Sequence, residues 1–188
     1  MNIRTFTLTM VALMAGASGV SAQGGQPMQH DMKMSTDPEV TKAVAVITPT
    51  ATSKVAGMVL FVKTDAGIRI TADVSGLTPG KHGFHIHQFG DCSGADYMTA
   101  GPHFMMPGEM HGAPDSAGSH NGDMGNLEAD NAGKAHLEWT DSHISFSGST
   151  SVLGRAVIIH EKEDDLKTQP TGNSGGRIAC ATIGIAKP

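Results

Sequence analysis

Ile68-Arg69-Ile70-Thr71-Ala72-Asp73-Val74 alternates apolar and polar side chains over seven residues. Successive side chains of a strand point to opposite faces, so Ile68, Ile70, Ala72 and Val74 share one face and turn toward a core. A helix would scatter those four around its circumference. The segment is a strand, half buried.

Similar runs recur on both sides of it. Residues 43–47, 55–62 and 83–89 give strand signals, as do 145–147, 156–160 and 178–185. Residues 126–129 and 134–139 flank Asp130-Asn131-Ala132-Gly133, a turn that signals a hairpin. No segment sustains a helical period. Gly is abundant at 24 residues while aromatics make up only 4%, which suits short strands joined by many turns. About eight short strands predict an all-β domain, an antiparallel barrel or sandwich. Two stretches, 90–125 and 161–176, break the rhythm, and long loops on a small β scaffold usually carry function.

The 188 residues suit one domain. Arg4, the apolar stretch 6–20 and the small-x-small site Val20-Ser21-Ala22 read as a signal peptide over residues 1–22. Residues 23–38 are polar and lack apolar periodicity, so they read as a flexible arm containing Met and His; residues 39–188 form the domain. The expected destination is the far side of the inner membrane: the periplasm in a Gram-negative cell, otherwise the exterior. No stable membrane insertion is expected after cleavage. Formal charge is −5, or −6 without residues 1–22, and no basic run exists, which excludes nucleic acid as a partner. Export makes a Cys92–Cys180 disulfide the default, with two unpaired buried thiols as the alternative.

Six of the ten histidines lie in the two long loops or at their edges. His85-Ile86-His87 on a strand puts both imidazoles on one face and Phe84 and Ile86 on the other. His103, His111, His120 and Asp123 follow in a Gly-rich loop, three imidazoles and a carboxylate, the donor number and type for tetrahedral Zn²⁺. Any one of these taken alone is more simply a solvated loop histidine. His160 ends an apolar strand and, with His85 and His87, makes an imidazole-rich set that suits Cu(II). Seven ligands are too many for one ion and suit two.

Gly83-Phe84-His85-Ile86-His87-Gln88-Phe89-Gly90-Asp91, with Ala100-Gly101-Pro102-His103-Phe104, resembles one signature of the copper–zinc superoxide dismutases. Gly154-Arg155-Ala156-Val157-Ile158-Ile159-His160-Glu161, with Gly172-Asn173-Ser174-Gly175-Gly176-Arg177-Ile178-Ala179-Cys180, resembles the other. The likeness runs from about residue 43 to 186. It implies an eight-stranded antiparallel Greek-key β-barrel (an immunoglobulin-like sandwich) with two long functional loops. It also implies superoxide as substrate and charge-steered turnover, for which these enzymes are themselves a standard example.

By position, the resemblance implies one copper ion on His85, His87, His103 and His160, and one zinc ion on His103, His111, His120 and Asp123. His103 would bridge the two and act in catalysis with Arg177, which would attract the substrate anion. Asp164 would link one copper histidine to one zinc histidine, Cys92 and Cys180 would form the family's disulfide, and His82 would be structural. A homodimer is left open, since dimer contacts differ within the family. Met105-Met106 replaces the usual residues after the bridging His-Phe; with Met98 and Met110 it makes a local methionine cluster, expected to pack in core or loop. The competing function is a non-catalytic copper-binding or copper-delivery protein on the same fold, kept open by the thioethers of arm residues 28–34 (Met28 to Met34).

Overall fold

A computed structural model describes residues 39–50 and 52–188; the expected signal peptide and arm lie outside them. Nine strands follow one another: β1 (Lys42–Ile47), β2 (Ala56–Thr64), β3 (Gly67–Ser75), β4 (Gly80–His87), β5 (Asp123–Ala129), β6 (Ala135–Asp141), β7 (Ala156–His160), β8 (Arg177–Thr182) and β9 (Gly184–Ile185). The only helical element among the described residues is a single 3₁₀ turn, Met98–Ala100. One sheet has the order β6-β3-β2-β1-β9 and the other β5-β4-β7-β8, with antiparallel pairing throughout.

The alternation in β3 comes out as expected, with Ile68, Ile70, Ala72 and Val74 all buried. Slipping this strand by one residue would expose all four and bury Arg69 and Asp73, so register is fixed by burial. From the facing sheet Phe84, Ile86, Leu127, Val157 and Ile159 complete the core. Each such large apolar side chain contributes about 1.5–3 kcal/mol on leaving water. A Greek key follows from the connections, because the chain leaves β6 at the edge of one sheet and returns to the middle of the other, pairing β7 with β4.

Three local expectations need correction. The turn at Asp130 forms, with Asp130 N donating to Lys134 O and Gly133 N to Asp130 O, yet β5 and β6 belong to different sheets. The turn is a corner of the sandwich and not a hairpin. Residues 145–147 form no strand, only a bridge between Ser145 and Ser151. The last run divides at Ile183, where the chain passes from one sheet to the other as β8 and β9.

The second sheet is covered on both faces. Every residue of β7 is buried, as are residues 82–87 of β4. Ala156 and Ile158 face away from the main core and pack with Ala100, Tyr97, Cys92 and Cys180, which belong to the first long loop and to β8. The disulfide Cys92–Cys180 is formed, with Cα atoms 5.7 Å apart. It fastens that loop to β8, over the face where the histidines emerge.

Candidate metal centre

His85 and His87 stand on the outer face of β4, both fully buried, while Phe84 and Ile86 enter the core. The first long loop lies along this strand. Phe104 N donates to Ile86 O at 2.8 Å, Ile86 N to Gly122 O at 2.9 Å and Gly122 N to Phe104 O at 2.8 Å. Gly122 is required here, because a Cβ would sit 2.2 Å from Ile86 O. This lacing sets His103 opposite His87. His160 arrives at the end of β7, opposite Arg177 on β8.

His85, His87, His103 and His160 converge, with ligand atoms all within 4.8 Å of one another. Each ring has one nitrogen committed. His85 Nε2 donates to Asp164 Oδ2 (2.7 Å), His87 Nδ1 to Gly101 O (2.9 Å), His103 Nδ1 to Asp123 Oδ1 (3.0 Å) and His160 Nδ1 to Gly175 O (3.2 Å). The other four nitrogens, His85 Nδ1, His87 Nε2, His103 Nε2 and His160 Nε2, are buried without a partner. Orphaned buried acceptors are costly, and four lone pairs facing one another are explained by a cation between them. Burial holds these rings neutral: His85 is pushed down to about 3 and His160 to about 4, with His87 and His103 also lowered. Neutral imidazole is the ligating form.

Beside this set, three Nδ1 atoms surround one carboxylate oxygen. His103 and His111 lie 3.0 Å and His120 3.3 Å from Asp123 Oδ1. Asp123 Oδ2 accepts from Gly112 N (2.9 Å) and His120 N (3.2 Å). Burial works to raise the Asp123 carboxyl, but the imidazole hydrogen bonds overcome it and hold it far below the carboxylate range. Three nitrogens and one oxygen fit a tetrahedral zinc site. His103 belongs to both sets, and its ring stacks on His85 with centroids 4.0 Å apart. His85 also comes within 4.8 Å of the second set, although its Nε2 is taken by Asp164.

Asp164 ties the sets together. Its Oδ2 accepts from His85 and its Oδ1 from His111 Nε2 at 2.9 Å. Burial works to raise this carboxyl too, and the His111 and His85 hydrogen bonds lower it on balance. Residues without a role legible in the sequence hold Asp164 and His111 in place. Asn126 Nδ2 donates to Asp164 O and Asn126 Oδ1 accepts from Asp164 N. At Gly172, with φ of +64°, a Cβ would fall 1.7 Å from Asp164 Oδ1 and 2.6 Å from His111 Nε2. Gln169 accepts from His111 N and donates to His111 O. None of these three is a ligand type, and only Gly172 falls within a signature segment, which does not disclose its role. His82 carries no part of either set; its Nδ1 donates to His160 O and its Nε2 accepts from the Thr78 hydroxyl.

Arg177 is half-buried, and its guanidinium donates to Tyr97 O (2.6 Å) and Gly101 O (2.7 Å). It lines a surface cavity of about 390 Å³ with His160, Thr171, Asp96 and Met98. The packing expected of the methionine cluster holds only for Met106, which lies against the core. Met98, Met105 and Met110 are exposed.

Comparison with known proteins agrees with this geometry. The family model described as copper/zinc superoxide dismutase matches residues 55–183. Superoxide dismutase [Cu-Zn] A of Xenopus laevis is 42% identical over 153 residues, spanning 78% of this chain and 99% of that protein. The crystal structure of the clock protein EA4 superposes with a TM-score of 0.73 at 36% identity, over 79% of this chain and 98% of that one.

Proposed function

The chain belongs to the copper/zinc superoxide dismutase family, and from that premise we propose that it converts two superoxide radicals and two protons to dioxygen and hydrogen peroxide. The observation that carries this is the convergence of four unpartnered imidazole nitrogens on one point, with His103 reaching from it to the Asp123 set. We assign one copper ion to His85, His87, His103 and His160, and one zinc ion to His103, His111, His120 and Asp123. Bound copper supplies the one-electron chemistry, while zinc has none and supplies a fixed charge and geometry.

The protein's own groups do the rest. His103 holds and gives up a proton at Nε2, and Asp123 fixes the orientation of its ring. Arg177, held by two carbonyls, presents a fixed positive charge at the cavity beside His160 and orients the anion. Asp164 fixes the tautomers of His85 and His111, because each donates its Nε2 proton to that carboxylate.

The protein acts outside the cytoplasm in this proposal. The signal-like pattern of residues 1–22 supports that, and the disulfide is compatible with an oxidising compartment. A homodimer is proposed through the outer face of the first sheet, where Val44 pairs with Leu60 and Val46 with Met58, the last pair exposed. Metal analysis and superoxide decay on one purified sample test the activity. Protein replete in both metals yet inactive would instead be a copper-binding protein.

A further inference from the structure

Beyond the two ligand sets, the loop between His111 and His120 meets the end of β6. His143 Nδ1 lies 3.5 Å from Asp141 Oδ1 and 3.8 Å from Asp115 Oδ1, and the three ligand atoms lie within 4.8 Å of one another. Asp141 is 5% exposed, whereas Asp115 and His143 are at the surface. Asp141 has no Lys or Arg partner among the described residues: it faces the Asp115 carboxylate, the His143 ring and the backbone N–H groups of His143 and Ile144. A buried carboxylate beside a second carboxylate, with one imidazole aimed at both, lacks positive charge.

A second observation points to a ligand. These residues border a cavity of about 70 Å³, room for roughly two water molecules. The same cavity, which extends to Glu109 and to His120 and Asp123 of the second ligand set, is lined by Asn121, 8% exposed, whose buried Nδ2 has no partner. Buried amide N–H groups are rarely left unsatisfied. An ion held by three protein ligands keeps its fourth position for a water, and such a water would accept from Asn121.

We propose that Asp115, Asp141 and His143 form a third cation site, distinct from the two described above. One imidazole and two carboxylates suit a borderline divalent ion such as Zn²⁺, since Ca²⁺ and Mg²⁺ prefer more ligands and oxygen alone. The bound ion joins the zinc-set loop, through Asp115, to the end of β6, through Asp141, and to the turn that follows, through His143. The site therefore braces the loop that carries His111, His120 and Asp123.

The test titrates Zn²⁺ by calorimetry into protein already carrying its full copper and zinc complement. Wild type takes up one further equivalent. His143→Gln and Asp115→Asn, both at exposed positions where folding is undisturbed, weaken that equivalent by roughly tenfold or more. Both variants keep the original copper and zinc content. His136→Gln, which removes an exposed histidine paired with Asp73 elsewhere on the surface, leaves the further equivalent unchanged. Wild type that takes up no further zinc overturns the proposal, as does a further equivalent of undiminished affinity in both site variants.

Discussion

Asp164 Oδ2 lies 2.7 Å from His85 Nε2, with both side chains fully buried. The same carboxylate serves His111 through its other oxygen, so an amide cannot replace it. In Asp164→Asn one oxygen still accepts, but the nitrogen presents an N–H to a ring that also donates. We expect metal affinity to fall by roughly 10–100-fold, unequally for the two ions, with a much smaller effect on folding. Competition against chelators reads both affinities, and unchanged values would show that Asp164 merely fills space.

Gly172→Ala should reproduce that loss without replacing any ligand, since its Cβ would press on Asp164 and His111. Its Cβ would occupy the place of Asp164 Oδ1, at a left-handed φ that alanine adopts with strain. Retention of both ions at wild-type affinity would contradict the tight cradle.

Arg177 separates attraction from anchoring. At matched copper content the superoxide decay rate should run Arg, then Lys, then Ala, then Glu, with Ala slower than wild type by roughly tenfold. Superoxide dismutases are themselves a standard case of such steering. Rising salt should slow wild type more than Ala, because screening then has an attraction to remove. Lys should keep part of the rate but cannot hold Tyr97 O and Gly101 O as a fork. Equal rates for Arg, Ala and Glu would remove the guidance role.

Reduction of Cys92–Cys180 opens a closure of 88 positions, worth about 4–5 kcal/mol in the chain-entropy description. Thermal stability should drop, and amide exchange should quicken first around Met98–Ala100, which packs beside the bridge. Two free thiols in the exported protein by mass spectrometry would refute the bridge.

Proton release distinguishes the two ligand sets. In protein stripped of metal, burial opposes charge on His111, but Asp123 and Asp164 outweigh it and hold this histidine up to about 9. His85 and His160, held down to about 3 and about 4 chiefly by burial, are already neutral. Near neutral pH, zinc added to the stripped protein should displace about one proton from His111, whereas copper added afterwards should displace only the N–H of His103, whose two nitrogens then both ligate, and none from His85 or His160. Calorimetry in buffers of different protonation enthalpy counts them, and no proton release on adding zinc to the stripped protein would contradict the assignment. The sign for stability follows. The folded value of His111 lies above the ordinary 6.5 or so, so its contribution to the stripped protein is complete below that pH. It fades as pH rises through about 9.

Much of the fold was legible because burial writes itself as period two. The runs at Ile68 to Val74 and Ala156 to His160 appear as strands, the second with the same limits. What failed was pairing. The turn at Asp130 reads identically whether the following strand folds back or crosses to another sheet, since turn chemistry is local and sheet membership is not. Ile178 to Ile185 looked like one strand because both of its halves are extended, and only the partners differ. At the site, residue types and spacing marked every imidazole that converges. The roles of Asn126, Gln169 and Gly172 are not legible, even though Gly172 opens a signature segment, because they act through backbone contacts or through lack of volume. Exposure of Met98, Met105 and Met110 was also unreadable, since an apolar loop residue carries no signal of which way it faces.

The double burial of β4 bears on how this protein tolerates mutation. A strand with one wet face normally leaves every second position free to drift. From Phe84 to His87 no such freedom remains. Changing Phe84 or Ile86 to alanine opens a cavity at a cost of about 2–5 kcal/mol, while changing His85 or His87 removes a converging nitrogen and leaves the fold largely standing. Four consecutive positions are thus constrained, in alternation, by two unrelated failures. Variants lost at even positions should be recovered by added stability elsewhere in the chain, and those lost at odd positions should not.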